Sequence, residues 1–188
     1  MTTRWIFLLL VIVLGIQRLF ELRLSSRNEH RILELGGYEY APNQFRVMKA
    51  LHIAWFISML VEVFSLQRAF HPALALAAGV LFVLGQTLRY TATSSLGERW
   101  TVRIMILPGA EPISRGIYRF IRHPNYLGVI LEMGSVPLMH TAYLTAIFFS
   151  IANALLLAWR IRTEEAALKD HNHYEQVFAG RPRFLPKI

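Results

Sequence analysis

The sequence contains no cysteine. Disulfides, thiolate nucleophiles and cysteine-ligated zinc are therefore excluded, and the redox compartment leaves no mark on the chain. Acidic residues are scarce as well: 12 Asp and Glu stand against 20 Lys and Arg, a net charge of +8. Such a balance points either to nucleic acid or to an anionic membrane surface. The abundant residues decide between them. Hydrophobic residues make up 54% of the chain and the mean hydropathy is +0.38, high for a soluble domain. Runs such as Trp5 to Leu14 and Leu74 to Leu88 are the material of membrane spans. The expected partner is the lipid bilayer, with no nucleic acid. The 188 residues suffice for one domain, 1–188, and no internal repeat divides them.

The hydrophobic pattern predicts an all-α integral membrane protein with about five spans, near 3–20, 48–66, 73–90, 124–138 and 141–159. The first span lacks a basic leader beyond Arg4 and a small-residue cleavage site, so it reads as a retained helix. The polar segments between spans cover 21–47, 91–123 and 160–188. Leu22, Leu24, Ile32, Leu33 and Leu35 allow the first to continue the helix and then lie at the interface. Val102 to Leu107 reads as a short extended run before the Pro108-Gly109 turn. Gly79 and Gly85 lie six apart, which is not the GxxxG spacing, and point only to close packing. The last two spans are joined by a tight turn at Met139-His140 and form a helical hairpin.

Charge supports this division. With five spans, one side receives Arg4 and Arg68, and the other receives the remaining 18 of the 20 Lys and Arg. The positive-inside rule then predicts an outside N-terminus and places the three polar segments and the C-terminus in the cytoplasm.

Two polar elements could carry chemistry. Ser114 to Gly128 packs Arg115, Tyr118, Arg119, Arg122, His123, Asn125 and Tyr126 into one run, with Pro124 placed to open a helix. Cations and aromatic rings at that depth could hold an anionic, partly planar small molecule, although Arg and Tyr are also ordinary membrane-boundary anchors. The second element is Arg160-Ile-Arg162-Thr-Glu164-Glu165, continuing the fifth helix, with Arg160 and Glu164 on one face. Alone, that pair reads as a helix-end ion pair. The hairpin should bring the two elements together. His171 and His173 are spaced off a common helical face, which argues against a metal site, and no metal is expected. Glu132, eight residues into a short span, is an intramembrane carboxylate that needs a partner or a function; Glu62 lies near the far end of its span.

Gly116-Ile-Tyr118, then Arg122-His123-Pro124-Asn125-Tyr126-Leu-Gly128, then Arg160, Glu164-Glu165, Leu168 and Tyr174, resemble the isoprenylcysteine carboxyl methyltransferase family. The signature covers roughly the C-terminal half, and Leu96 to Arg103 and Glu132 look more like its bacterial branch. The resemblance implies an integral membrane enzyme that uses S-adenosylmethionine to O-methylate a lipophilic or prenylated substrate, by default a protein S-isoprenylcysteine carboxylate. The alternative within the family is a long-chain polyketide of the alkylpyrone type. The resemblance further implies that Ile113, Tyr118, His123, Pro124, Asn125, Tyr126 and Glu164 bind the cofactor, and that Arg160 is catalytic, orienting the acceptor oxygen. Methyl transfer is an in-line attack on a sulfonium methyl, which needs positioning and no metal. A related NADPH-dependent membrane reductase and a non-enzymatic scaffold are the competing readings; the tandem Glu164-Glu165 and the short chain count against the first.

Overall fold

A computed structural model describes residues 2–185. In chain order it contains α1 (Thr2–Glu34), β1 (Tyr38–Tyr40), α2 (Pro42–Ser65), α3 (Pro72–Leu96), β2 (Ile104–Ile106), α4 (Pro124–Leu138), α5 (Tyr143–His171) and α6 (Tyr174–Phe178), with 3-10 turns at Gly97–Arg99 and Gly116–Arg119. Pro42, Pro72 and Pro124 each stand in the first turn of a helix, where a missing N–H costs nothing.

Among the described residues four helices are long and apolar enough to cross a membrane: α1, α2, α3 with its 3-10 extension, and α5. Their outward faces carry large apolar side chains, including Trp5, Leu9 and Phe20 on α1, Leu76 and Val83 on α3, and Phe148 and Leu155 on α5. Such continuous apolar exposure belongs in lipid, and the protein is an integral membrane protein. The fifth expected span is α4, at 15 residues about 22 Å long and below the thickness of a bilayer core. It is shorter because it lies inside the bundle. Gly128, Val129, Glu132, Met133, Val136 and Pro137 are all buried, so α4 has little lipid to match.

The first helix runs well beyond the expected span, to Glu34, and α5 continues to His171. The extended run near Val102 is β2, which pairs antiparallel with β1 in the register Tyr38↔Ile106, Glu39↔Met105, Tyr40↔Ile104. The three-residue partner strand, in the segment 21–47, is not foreseen from the sequence.

The helices close around Phe7, Val11 and Leu14 of α1, Trp55, Met59 and Val63 of α2, Met133 and Val136 of α4, and Phe149 of α5. The closest crossing is α3 against α4. A Cβ on Gly128 would stand 2.7 Å from the Gly85 carbonyl oxygen and 2.6 Å from Cγ of Arg89, so only glycine fits. Gly79, by contrast, faces open space. At one end of the bundle the turns meet: Thr141 Oγ1 donates to the Ala69 carbonyl at 2.6 Å, and Glu62 accepts the Leu144 and Thr145 backbone N–H groups at 3.1 and 2.7 Å. The described residues of all three polar segments gather at the other end.

Candidate active site

The start of α4 and the end of α5 meet as the hairpin predicts. Tyr126, in the first turn of α4, places its hydroxyl between two residues of α5. It donates to the Glu164 carboxylate and accepts from Arg160 Nε at 2.8 Å. Arg160 and Glu164, one helical turn apart, are therefore joined through a phenol from the neighbouring helix. Arg160 is buried, and its second guanidinium nitrogen donates to the Val102 carbonyl at 2.5 Å. The polar connection before α4 thus fixes the cation from the opposite side.

His123 stands at the N-cap position of α4 and stacks on the Tyr126 ring, with centroids 5.3 Å apart at 22°. Its Nε2 lies 3.0 Å from Glu165 Oε1, and Arg183 Nη2 donates to Glu165 Oε2 at 2.6 Å. The backbone completes this closure, because the Arg122 and His123 N–H groups donate to the carbonyls of Pro182 and Arg183, each at 3.0 Å. The segment 181–183 is thereby strapped across the N-terminus of α4. The Glu165 carboxylate raises the Arg183 guanidinium above its ordinary pKa, and burial raises the Tyr118 and Tyr174 hydroxyls. Both phenols stay neutral across the working pH range.

Beside these groups lies a cavity of about 460 Å³, within the range of small-molecule and cofactor sites. Ile113, Tyr118, His123, Asn125, Tyr126, Arg160 and Glu164 all line it. Pro124 is buried in the first turn beside them and is not among the lining residues. Asn125 lines the cavity, and its buried Oδ1 has no hydrogen-bond partner among the described residues, an acceptor available to a ligand. The cavity continues between α1 and α2, where Leu19, Leu22, Ile53 and Phe56 make an apolar arm.

Several lining residues were not singled out from the sequence: Arg18, Glu21, His52, Arg89 and Asn153. Arg18 and Arg89 look like the charged ends of spans until the helices are seen to run on past them. Glu132 supplies the missing partner. It accepts from Arg18 Nη2 at 2.5 and 2.6 Å and from Gln86 Nε2 at 2.5 Å, while Arg89 Nη2 reaches Glu21 at 2.5 Å. Two cations and two carboxylates therefore neutralise one another inside the bundle. The signal that could have found them is a charge pattern crossing three helices, which no single window of sequence displays.

Residues 75–170 match the isoprenylcysteine carboxyl methyltransferase family. An uncharacterized protein of Bacillus subtilis is 37% identical over 169 residues, covering 88% of this chain and 98% of its own length. An uncharacterized protein of Haemophilus influenzae is 27% identical over 80% of this chain and 88% of its own. A protein-S-isoprenylcysteine O-methyltransferase of Schizosaccharomyces pombe is 28% identical over 56% of this chain and 46% of its own length.

Proposed function

The chain belongs to the isoprenylcysteine carboxyl methyltransferase family, and from that premise we propose that it is a single-domain S-adenosylmethionine-dependent O-methyltransferase acting on a lipophilic carboxylic acid at the membrane boundary. The carrying observation is that one cavity joins the Tyr126–Arg160–Glu164 cluster to an apolar arm between α1 and α2. A water-soluble cofactor and a lipid-tailed acceptor can enter such a cavity from opposite directions.

S-adenosylmethionine supplies an electrophilic methyl group when bound. The residues fit it. Glu164 can pair with its ammonium group, the unpartnered Asn125 Oδ1 can accept from an amino or hydroxyl group, and the stacked His123 and Tyr126 rings offer a flat wall. Arg160 holds the acceptor carboxylate in the line of attack, where positioning supplies most of the rate. A carboxylate is already ionised at neutral pH, so no base is required. Tyr126 keeps Arg160 and Glu164 in fixed relation, and the surrounding helices exclude water. The prenylcysteine carboxylate named for the S. pombe relative is the first acceptor to try. The lopsided distribution of Lys and Arg supports a cytoplasmic active site and C-terminus, with the N-terminus outside.

The test is equilibrium binding of S-adenosylhomocysteine to the detergent-purified protein, with NADPH in parallel. Saturable binding of S-adenosylhomocysteine, lost in Tyr126→Ala and Glu164→Ala, is expected. Binding of NADPH alone would overturn the proposal in favour of a reductase.

A further inference from the structure

The apolar arm of the cavity is not uniformly apolar. Helices α2 and α5 run antiparallel in constant register. Gln44 Nε2 donates to Thr163 Oγ1 at 2.8 Å, and eighteen residues further along each helix, in opposite senses, Thr145 Oγ1 donates to Glu62 at 2.8 Å. In that register His52 stands opposite position 155, within two residues of Asn153. Both side chains line the cavity. Asn153 lies seven residues below Arg160, about 10 Å along the helix. Gly134 lies against Ser150, where an added Cβ would be 3.4 Å from the Oγ. This contact puts Glu132 and its partner Arg18 at the same depth.

The charges of this layer pair with one another, Arg89 Nε only as an ion-pair contact to Glu132 at 3.3 Å, and two uncharged side chains lining the cavity are left over. Asn153 is 2% exposed and its Oδ1 has no hydrogen-bond partner among the described residues. An orphaned amide oxygen in a bundle interior is costly and rare. His52 Nδ1 lies 2.9 Å from the Met48 carbonyl. A carbonyl can only accept, so Nδ1 carries the proton and Nε2 of the neutral ring is an acceptor. A plain hydrocarbon tail in this arm would leave both groups desolvated and unpaired.

We infer that Asn153 and His52 form a hydroxyl-binding subsite in the lipid arm. The acceptor is then a long-chain acid bearing a hydroxyl group roughly 10 Å from the carboxylate that Arg160 holds. The hydroxyl has one hydrogen to donate, to Asn153 Oδ1 or to His52 Nε2, and its oxygen can accept from the Asn153 amide N–H. The inference rests on the acceptor-acid reading proposed above and narrows its substrate class.

The test compares stearate with its derivative hydroxylated on the ninth carbon, which reaches that depth in an extended chain. Binding is measured on detergent-purified protein with and without S-adenosylhomocysteine, for wild type, Asn153→Leu and His52→Phe. Wild type is expected to bind the hydroxy acid at least about ten-fold more tightly, the worth of one such buried hydrogen bond. Asn153→Leu and His52→Phe should each cut that preference, with stearate affinity held or improved. Equal affinity of the two acids for wild type, or an equal loss of both in the variants, overturns the subsite. Binding of neither acid also overturns it. S-adenosylhomocysteine is read in the same samples: its failure to bind would strike the methyltransferase reading instead, while its binding beside indifferent lipids would strike the subsite alone.

Discussion

Tyr126 is the residue on which the site turns, because among the described residues its hydroxyl is the one group bonded to both Arg160 and Glu164. Tyr126→Phe keeps the ring stacked on His123 and removes only that joint. Turnover should fall by about one to two orders of magnitude, a misplacement effect, with unfolding temperature little changed, as a methyl-transfer assay beside a thermal melt would show. Glu132 makes the opposite case. Its removal leaves Arg18 and Arg89 facing one another with a single carboxylate, Glu21, between them. Glu132→Ala should cost about 3–5 kcal/mol of stability, seen as a lowered melting temperature in detergent. The sequence showed Glu132 as an intramembrane acid in need of a partner, and the family resemblance grouped Ile113, Tyr118, His123, Asn125, Tyr126, Arg160 and Glu164, which line the cavity. It did not show Arg18, Arg89, His52 or Asn153 as site residues. Each sits in an ordinary-looking hydrophobic helix, and only the packing of three further helices turns it toward the cavity.

At the scale of elements, the α3–α4 crossing depends on Gly85 and Gly128 meeting without side chains. Gly128→Ala places a methyl group 2.7 Å from the Gly85 carbonyl oxygen. The helices must separate, at a cost of about 1–3 kcal/mol, and the shift should weaken S-adenosylhomocysteine binding because Tyr126 is two residues away. A melt and a binding isotherm on the same preparation check both. Glu62 works at the other end, where its carboxylate receives the first free N–H groups of α5 and completes the helix dipole. Glu62→Gln should lower the melting temperature and leave cofactor binding intact. Helix existence was legible because each span is a long apolar run. Helix ends were less so: α1 continues fourteen residues past the expected span, the extension that Leu22 and Leu24 allowed without bounding it, held by Asn28, whose amide donates to the Trp100 carbonyl at 2.7 Å. The three-residue β1 has too few positions to show a period, and it forms because β2 lies beside it.

For the whole molecule, the proposed orientation can be tested with unusual economy, since the chain has no cysteine to remove. Single cysteines at Gln67 and at Ser114 in intact cells should react with an impermeant maleimide in the first case only; the reverse pattern would invert the topology. The two ends also differ in how they are finished. One is closed by tight turns, Met139–Ala142 against Ala69. The other is closed by residues 181–183, whose carbonyls take the N–H groups of Arg122 and His123 and whose Arg183 holds Glu165. A chain ending at Phe178 should insert with every long helix in place and fail to bind S-adenosylhomocysteine. The strap has a bearing on biogenesis. Residues 181–183 leave the ribosome after all of the helices they fasten, so on the proposed function the nascent protein should pass through a stage in which it is inserted yet enzymatically silent. On that reading, competence to bind a methyl donor should arrive only when synthesis has run past residue 183, and a stalled or clipped product should sit inert in the bilayer.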